Sequence, residues 1–316
     1  MQLPAELAEA IESLAAEHDF KQLRAAAERI SEAYRAGAGG RALASEAERA
    51  AYLAVRFPAT YAAVSAVLEE LQARAPQFAP RTMLDLGAGP GTATYAADAL
   101  FPSLKDVMLV DQDSGFLTLA RELCNIPAHR DCFQADLRKA SLPVAELAVA
   151  AYSLGELSPT DAAQVIERAW KQVQVMCVIE PGTPRGYADV IRARDQLIAA
   201  GGHLVAPCPH ERACPMDGTS DWCHFAARVE RTSLHRKLKA GELGWEDEKF
   251  SYIIFAKDPG SGRAQARIVR HPQTGKGHMK LESCGPEGLA LVTISRKQGE
   301  VYRRARRAKW GDSWDI

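Results

Sequence analysis

The sequence lacks the features that define several common classes of protein. No run of about 18 apolar residues occurs, so no transmembrane helix is predicted. Met1 to Glu17 contains no Lys or Arg, and this stretch therefore resembles neither a secretory signal nor an Arg-rich transit peptide. The cysteines number seven, and an odd count argues against a disulfide framework and for thiols or metal ligands. These absences predict a cytoplasmic location without membrane contact.

A large excess of one charge is also absent, but the charges are unevenly placed. The net charge is −1, yet residues 201–316 carry 20 Lys and Arg against 14 Asp and Glu. A hydrophobic content of 47% excludes a disordered chain and supports a substantial core over 316 residues. The basic C-terminal part predicts an anionic partner for that part of the chain.

The most informative stretch is the glycine-rich turn at residues 84–92, with the sequence LDLGAGPGT. An apolar run precedes it and a helical pattern follows, an arrangement that brings backbone N–H groups close to a bound nucleotide. The G-x-G-x-G spacing differs from the G-x-G-x-x-G of dinucleotide sites. It resembles motif I of class I S-adenosylmethionine (SAM) methyltransferases. The candidate cofactor-binding residues of the turn are Asp85, Gly87, Ala88, Gly89 and Gly91.

Two further acids follow the next predicted strands and are also candidates for cofactor binding. Asp111 ends an apolar run, and its carboxylate can accept hydrogen bonds from both hydroxyls of a ribose. Asp136 follows the third strand, where such methyltransferases often place an acid or amide near the adenine amine. An Asp that caps the next turn explains Asp136 equally well.

The apolar periodicity predicts an α/β fold. Residues 1–80 show helical spacing, and Gly37 to Gly40 is expected to form a linker or turn. Strands are predicted at 82–86, 107–111, 131–134, 146–152 and 174–180, with helices at 92–100, 114–124, 159–171 and 185–200. Their alternation predicts a doubly wound, Rossmann-like sheet of the class I SAM-dependent methyltransferase type. The expected divisions are an N-terminal helical cap (1–80), a SAM-binding core (81–202), a cysteine-rich metal-binding insertion (203–249), and the last core strands with a basic tail (250–316).

The stretch after the fourth predicted strand, Ala151 to Pro159, carries no recognisable catalytic group. It contains neither the Asn/Asp-Pro-Pro-aromatic box of base-modifying enzymes nor a cysteine nucleophile. Methyl transfer to a good nucleophile can proceed through positioning alone. The sequence therefore predicts a cofactor site and leaves methyl-transfer activity undecided.

Three cysteines cluster in a segment rich in Pro, Gly, Asp and Ser, with the spacing C-x5-C-x8-C: Cys208, Cys214 and Cys223. Such a segment has few apolar residues to hold it, so a bound metal would supply the missing constraint. The candidates for a fourth ligand are His210, His224 and Cys284. We assign Cys284, because the remaining cysteines, at 124, 132 and 177, are predicted to be buried side chains of the sheet. The spacing leaves zinc and an iron–sulfur cluster as alternatives.

Basic residues recur through the C-terminal region. Phe250 to Lys257 and Leu289 to Ser295 are predicted strands, and cations line the stretch between them. The tail then carries seven cations with interleaved aromatic residues, Tyr302 and Trp310. Cations neutralise phosphates and aromatic rings stack on unpaired bases, so this region predicts binding to nucleic acid.

These pieces together resemble the methyltransferase-like protein 17 family of mitochondrial small-ribosomal-subunit proteins and its bacterial relatives. The resemblance covers residues 80–314. It is carried by the glycine turn and by the motifs SLGEL (153–157), IEPGTP (179–184), CPH (208–210), CP (214–215), WCHF (222–225), KGH (276–278), Cys284 and AKWGD (308–312). The cysteine set with the Trp-Gly-Asp ending is the most specific part.

The resemblance implies a class I methyltransferase fold that binds small-subunit ribosomal RNA during assembly. It also implies a 4Fe–4S cluster held by Cys208, Cys214, Cys223 and Cys284. In the absence of a transit peptide, a bacterial, cytoplasmic, monomeric member is expected. Two alternatives stay open: an active RNA methyltransferase, and a methyltransferase acting on a small molecule or protein with a zinc-stapled lid.

Overall fold

The computed structural model describes residues 1–35, 45–239, 243–259 and 262–314. The predicted linker at Gly37 to Gly40 lies outside these residues. The described residues of the N-terminal part contain four helices: α1 (Ala5–Ala16), α2 (Phe20–Arg35), α3 (Glu46–Val55) and α4 (Phe57–Arg74). In α1 the buried residues recur every four positions, at Leu7, Ile11 and Ala15, which produces one apolar face. The helical character expected for this part is confirmed.

Strands and helices alternate through the middle of the chain, close to the predicted limits. The elements are β1 (Thr82–Leu86), α5 (Thr92–Leu100), β2 (Asp106–Asp111), α6 (Ser114–Glu122), β3 (His129–Gln134), β4 (Leu147–Ala151), α7 (Pro159–Gln172), β5 (Val175–Pro181) and α8 (Pro184–Ala199). A 3-10 turn at Leu154–Glu156 separates β4 from α7. Helices α7 and α8 cover one face of the sheet, and α4 and α5 cover the other.

The remaining elements are β6 (His203–Ala206), β7 (Phe225–Glu230), α9 (Ser233–Lys239), β8 (Trp245–Ala256), β9 (Arg267–Ile268), β10 (Gln273–Gly275), β11 (His278–Gly285), β12 (Gly288–Ser295) and α10 (Glu300–Ala305). Among the described residues, the main sheet has the order β3-β2-β1-β4-β5-β8-β6, with β7 also paired to β8. Strands β1 to β5 pair in parallel, and β8 runs antiparallel to β5. The order reverses between β1 and β4, and ligands bind at such reversal points in α/β sheets.

Two expectations for the C-terminal half are wrong. Residues 203–249 do not form one inserted loop, because β6 and β7 both belong to the main sheet through β8. Among the described residues of this range, the irregular stretch 207–224 and helix α9 lie outside the sheet. The strand at Leu289 to Ser295 exists, but β12 pairs with β11 in a separate four-stranded sheet. The short apolar runs of β6 and β7 gave no clear strand pattern, and pairing to the twelve-residue β8 decides their conformation.

Among the described residues, no single helix is long and apolar enough to cross a membrane. Helices α3 and α4 reach that length and composition only when taken together across a 47° bend. Most side chains of α4 are buried inside the protein.

Candidate functional site

A cavity of about 830 Å³ lies at the carboxyl ends of β1, β2 and β4, where the strand order reverses. Its walls include the glycine turn, Asp111 to Ser114, Ala135 to Arg138 and Ala151 to Ser158. Helices α2 and α3 contribute further lining residues on the side away from the sheet. The volume falls within the range of small-molecule sites, about 300 to 1,000 Å³.

The backbone of the glycine turn requires glycine. Gly87, Gly89 and Gly91 all have positive φ angles, of 70°, 52° and 79°. A Cβ atom on Gly87 would also lie 2.4 Å from Cβ of Ser153. A Cβ atom on Gly89 would meet nothing within 4 Å, because this residue faces the cavity. The turn therefore packs closely against the protein at its first glycine and leaves ligand space at its second.

Asp111 is held by backbone N–H groups at the edge of the cavity. One carboxylate oxygen accepts from Gly89 N at 2.8 Å, and the other accepts from Asp113 N at 2.8 Å. Burial raises the pKa of Asp111, and these two hydrogen bonds partly oppose the rise. Each oxygen keeps a lone pair for a further donor, so the oriented carboxylate can accept two ligand hydroxyls.

Asp85 and Asp136 line the same cavity but have protein partners. Asp85 accepts hydrogen bonds from Thr94 N at 3.1 Å and Thr94 Oγ1 at 2.7 Å, in the first turn of α5. Burial raises the pKa of Asp85 to about 7. Asp136 accepts from the backbone N–H of Arg138 and forms a two-pronged contact with its guanidinium. This contact lowers the pKa of Asp136 to about 2, and the carboxylate fixes the turn, as the alternative interpretation of Asp136 predicts.

Tyr152, at the end of β4, has the one positive φ angle found for a non-glycine residue among those described, 58°. Such a conformation costs about 1 to 3 kcal/mol and persists only where neighbouring contacts hold it. The Tyr152 hydroxyl donates to Glu248 Oε1 at 3.0 Å, and Glu248 forms an ion pair with Arg56. This network joins the cavity wall to the N-terminal end of α4. The sequence contained no pattern that predicted it.

Helix α3 is fixed over the cavity by contacts with α6. The Arg49 guanidinium donates to Asp113 Oδ1 at 3.2 Å, and Asp113 also caps the N-terminus of α6. The rings of Tyr52 and Phe116 lie 5.1 Å apart between centroids. The N-terminal helices therefore form part of the cavity wall itself.

A second, smaller cavity is lined by four thiols that come from distant parts of the chain. Cys208, Cys214 and Cys223 belong to the stretch 207–224, and Cys284 lies on β11. All four are free cysteines. Burial raises the pKa of the Cys223 thiol, and the nearby Cys208, Cys214 and Cys284 raise it further. The fold thus brings the four predicted cysteines together.

Polar groups surround these thiols. The Tyr187 hydroxyl lies 3.2 Å from Cys214 Sγ, and His210 Nε2 lies 3.7 Å from Cys284 Sγ. The buried Arg194 donates to the carbonyl oxygens of His210 and Arg212 and so fixes the start of the cysteine stretch. Nonetheless, within the described ranges no three His, Cys, Asp or Glu side chains are placed to bind one metal ion. A bound metal is not confirmed.

The other candidates behave differently. His224 does not line the thiol cavity, because its ring stacks on Trp222 and contacts the edge of Trp310. Cys177 is fully buried in β5, as predicted. Cys124 and Cys132 are only half-buried, so the prediction of buried side chains is wrong for these two.

The basic residues of the C-terminal region fall into two groups. Arg263, Arg267 and Arg270 form ion pairs with Glu211, Glu70 and Asp221. Arg267 is only 2% exposed. In the tail, by contrast, the exposed cations are Arg296, Lys297, Arg303, Arg304, Arg306, Arg307 and Lys309. Most of the exposed cations of this region therefore lie on the tail, and Lys276 adds one outside it.

Comparison with known proteins places the chain in a family. A model of the Rsm22 family, described as mitochondrial small ribosomal subunit Rsm22, matches residues 46–315. The chain belongs to the Rsm22 family. The family match confirms the resemblance to the methyltransferase-like protein 17 family, because the human member of that family, METTL17, is a relative of this chain.

Named Rsm22 relatives are ribosome assembly proteins of mitochondria. The human ribosome assembly protein METTL17 is 31% identical over 284 residues, which cover 83% of this chain and 61% of the human protein. The Saccharomyces cerevisiae ribosome assembly protein RSM22 is 22% identical over 416 residues, covering 84% and 66%. The chain thus spans about three fifths of the length of its human relative. The names of both relatives contradict the predicted cytoplasmic location.

Solved structures with a similar fold include magnesium protoporphyrin IX methyltransferase from Synechocystis with bound S-adenosylhomocysteine (SAH). The TM-score is 0.43 at 11% identity, covering 72% of this chain and 93% of the other. At this similarity the comparison adds nothing about ligand or reaction. The mixed sheet of the Rsm22-family chain, with its order described above, is itself consistent with the class I methyltransferase fold.

Proposed function

We propose that this chain is a SAM-binding assembly factor for the small ribosomal subunit that binds ribosomal RNA through its basic tail. One observation carries the SAM site: Asp111 is held by Gly89 N and Asp113 N beside the ligand space left by the glycine turn. The names of the human and yeast relatives support the role in ribosome assembly. The exposed cations of the tail support contact with RNA.

In the proposed site, the residues present fit SAM. Asp111 would accept the ribose hydroxyls, and the turn from Gly87 through Ala88 to Gly89 would lie along the cofactor. Gly91 does not line the cavity but packs against Ala120 and Leu109, so it would act by shaping the turn. Asp85 would act indirectly, because it fixes the first turn of α5 through its hydrogen bonds with Thr94. Asp136 would fix the part of the cavity wall that lies beside the adenine. SAM would supply an activated methyl group. No side chain is assigned to methyl transfer, so the proposal is a binding function.

We also propose that Cys208, Cys214, Cys223 and Cys284 hold a 4Fe–4S cluster. The four free thiols face one cavity whose other lining is largely apolar, a donor set that suits such a cluster. A single zinc ion would need its thiolates about 3.8 Å apart, from a Zn–S bond of about 2.3 Å. A cluster binds each thiolate to a different iron and tolerates wider spacing. It would join the stretch 207–224 to the second sheet.

Calorimetry with SAM tests the cofactor site. Asp111→Asn should weaken SAM binding at least about tenfold, since a charge-assisted hydrogen bond is lost. Asp106→Asn is the matched control, because Asp106 lies exposed at the opposite end of the same strand. Undetectable SAM binding by the unaltered chain, or equal effects of the two variants, would refute the site.

Iron and sulfide analysis of anaerobically purified protein tests the cluster. About four iron and four sulfide per chain are expected, and Cys284→Ser should lower both. Cys132→Ser, at a half-buried cysteine of β3, should leave both unchanged. One zinc per chain without sulfide would instead support the zinc alternative.

Incubation of the protein with methyl-labelled SAM and immature small subunits separates binding from catalysis. Tight SAM binding without transfer of label to RNA is expected for an assembly factor. Label that enters RNA, and is lost in Asp111→Asn, would make the chain an RNA methyltransferase.

A further inference from the structure

Glu156 projects from a rigid turn into the SAM cavity. It ends the 3-10 turn after β4, and its side chain lines the cavity. The buried Glu180 accepts the backbone N–H groups of Leu154 and Gly155, at 3.0 and 3.3 Å, and so holds the turn from behind. Ser153 Oγ donates to the carbonyl oxygen of Leu86 at 2.8 Å. The backbone that carries Glu156 is therefore fixed to both β1 and β5.

The other acidic side chains of the cavity wall have partners. Glu48 pairs with Arg29, Asp113 with Arg49, and Asp136 with Arg138. Asp85 accepts a hydrogen bond from Thr94, Asp111 from backbone N–H groups, and Asp161 from the Ser158 hydroxyl. Among the residues that the structure describes, the carboxylate of Glu156 makes no hydrogen bond or ion pair. The Glu156 side chain is exposed to the open space of the cavity, so its charge is available to a cationic ligand.

Glu156 and Asp111 line the same cavity, close enough for their charges to interact. Desolvation, and then the charge of Asp111, raises the pKa of Glu156 to about 7. If Asp111 takes the ribose hydroxyls, the sulfur of SAM, which is bonded to the 5′ carbon of that ribose, must lie in this part of the cavity. The sulfur carries a positive charge in SAM and none in SAH.

We propose that Glu156 is the charge-selecting residue of the cavity: its carboxylate pairs with the sulfonium of SAM and favours SAM over SAH. The inference rests on the proposed SAM-binding function and adds a specificity-determining residue to it. Asp111 serves both ligands equally, because they share the ribose. Glu156 serves the cationic ligand alone.

Calorimetry of the full chain with three probes tests this assignment. The probes are SAM, sinefungin, in which an amine-bearing carbon keeps the positive charge, and SAH, which is neutral at this position. Glu156→Gln should weaken SAM and sinefungin about tenfold or more and leave SAH within about twofold. The retained SAH affinity shows that the variant is folded. Asp106→Asn, at an exposed carboxylate outside the cavity, should leave all three affinities unchanged.

Each other result overturns the assignment. Equal weakening of all three ligands by Glu156→Gln would mean that Glu156 supports the shape of the cavity. No change for any ligand would mean that it does not contact them. If the unaltered chain binds none of the three ligands, the proposed SAM-binding function fails, and the inference about Glu156 fails with it. If the unaltered chain binds SAH and SAM, but Glu156→Gln does not change the affinity for SAM, the inference alone is refuted.

Discussion

The guanidinium of Arg267 donates to the Glu70 carboxylate across 197 residues of sequence and joins α4 to the second sheet. The same side chain donates to the carbonyl oxygens of Pro207, at 3.1 Å, and Gly311, at 2.9 Å. Burial opposes ionisation of Glu70, but hydrogen bonds and charges from Arg267 and Arg74 lower its pKa. One buried cation thus connects the N-terminal helices, the start of the cysteine stretch and the tail.

Replacing Arg267 should destabilise the fold strongly. Arg267→Ala leaves two carbonyl oxygens without their donor and leaves Glu70 paired with Arg74 alone, and we expect a loss of about 3 kcal/mol. Urea unfolding measures it. The control is Arg303→Ala, at an arginine paired with Glu300 on the surface, where the loss should stay below about 1 kcal/mol. Similar losses in the two variants would contradict the role of Arg267.

The buried Glu180 should make stability fall as pH rises. Burial, and then the charge of Asp189, raises the pKa of Glu180 from 4.5 to about 8. Between these values the folded state holds a proton that the unfolded chain has released, so the free energy of unfolding decreases with pH. Glu180→Gln removes this titration and should reduce the decrease by on the order of 2 kcal/mol.

Unfolding midpoints from pH 5 to pH 8 check the Glu180 prediction. The control is Glu122→Gln, at an exposed residue that ends α6, and it should keep the slope of the unaltered protein. A slope that persists in Glu180→Gln would assign the titration to another group.

Gly89→Ala should impair ligand binding more than stability. The added methyl group enters the open space of the cavity, and we expect SAM affinity to fall at least about tenfold, with a loss of about 1 kcal/mol in stability from the positive φ. Gly201→Ala is the matched control, because Gly201 also has a positive φ and open space around it. Equal affinities in the two variants would place the ligand elsewhere.

Removing the tail cations should weaken RNA binding and its dependence on salt. We replace Arg303, Arg304, Arg306 and Arg307 by Ala. Each lost phosphate contact reduces the slope of log affinity against log salt concentration by about 0.7, so the four substitutions together should reduce it by roughly two to three. The control replaces four exposed cations from other elements, Lys21, Arg24, Lys105 and Lys171. Filter binding to small-subunit RNA at several salt concentrations measures both, and equal slopes would remove the tail from the interface.

Much of the fold could be predicted from the sequence, because local patterns encode it. The alternation of apolar runs and helical segments placed β1 to β5 and the helices between them near their observed limits. The positive φ angles of the glycine turn explain why that spacing was informative. By contrast, β6 and β7 were missed, since their conformation depends on pairing with β8 rather than on their own residues.

The sequence by itself determined the strand–turn–helix corner, the set of four cysteines and the basic character of the C-terminal part. Only the tertiary structure decided that Cys284 reaches the other thiols, that Arg267 is buried while the tail cations are exposed, and that Glu156 stands without a partner in the cavity. The reason is physical. Turns and helices depend on neighbours within a few residues, whereas burial and charge pairing depend on contacts between residues up to about 200 positions apart, as in the pair of Glu70 and Arg267.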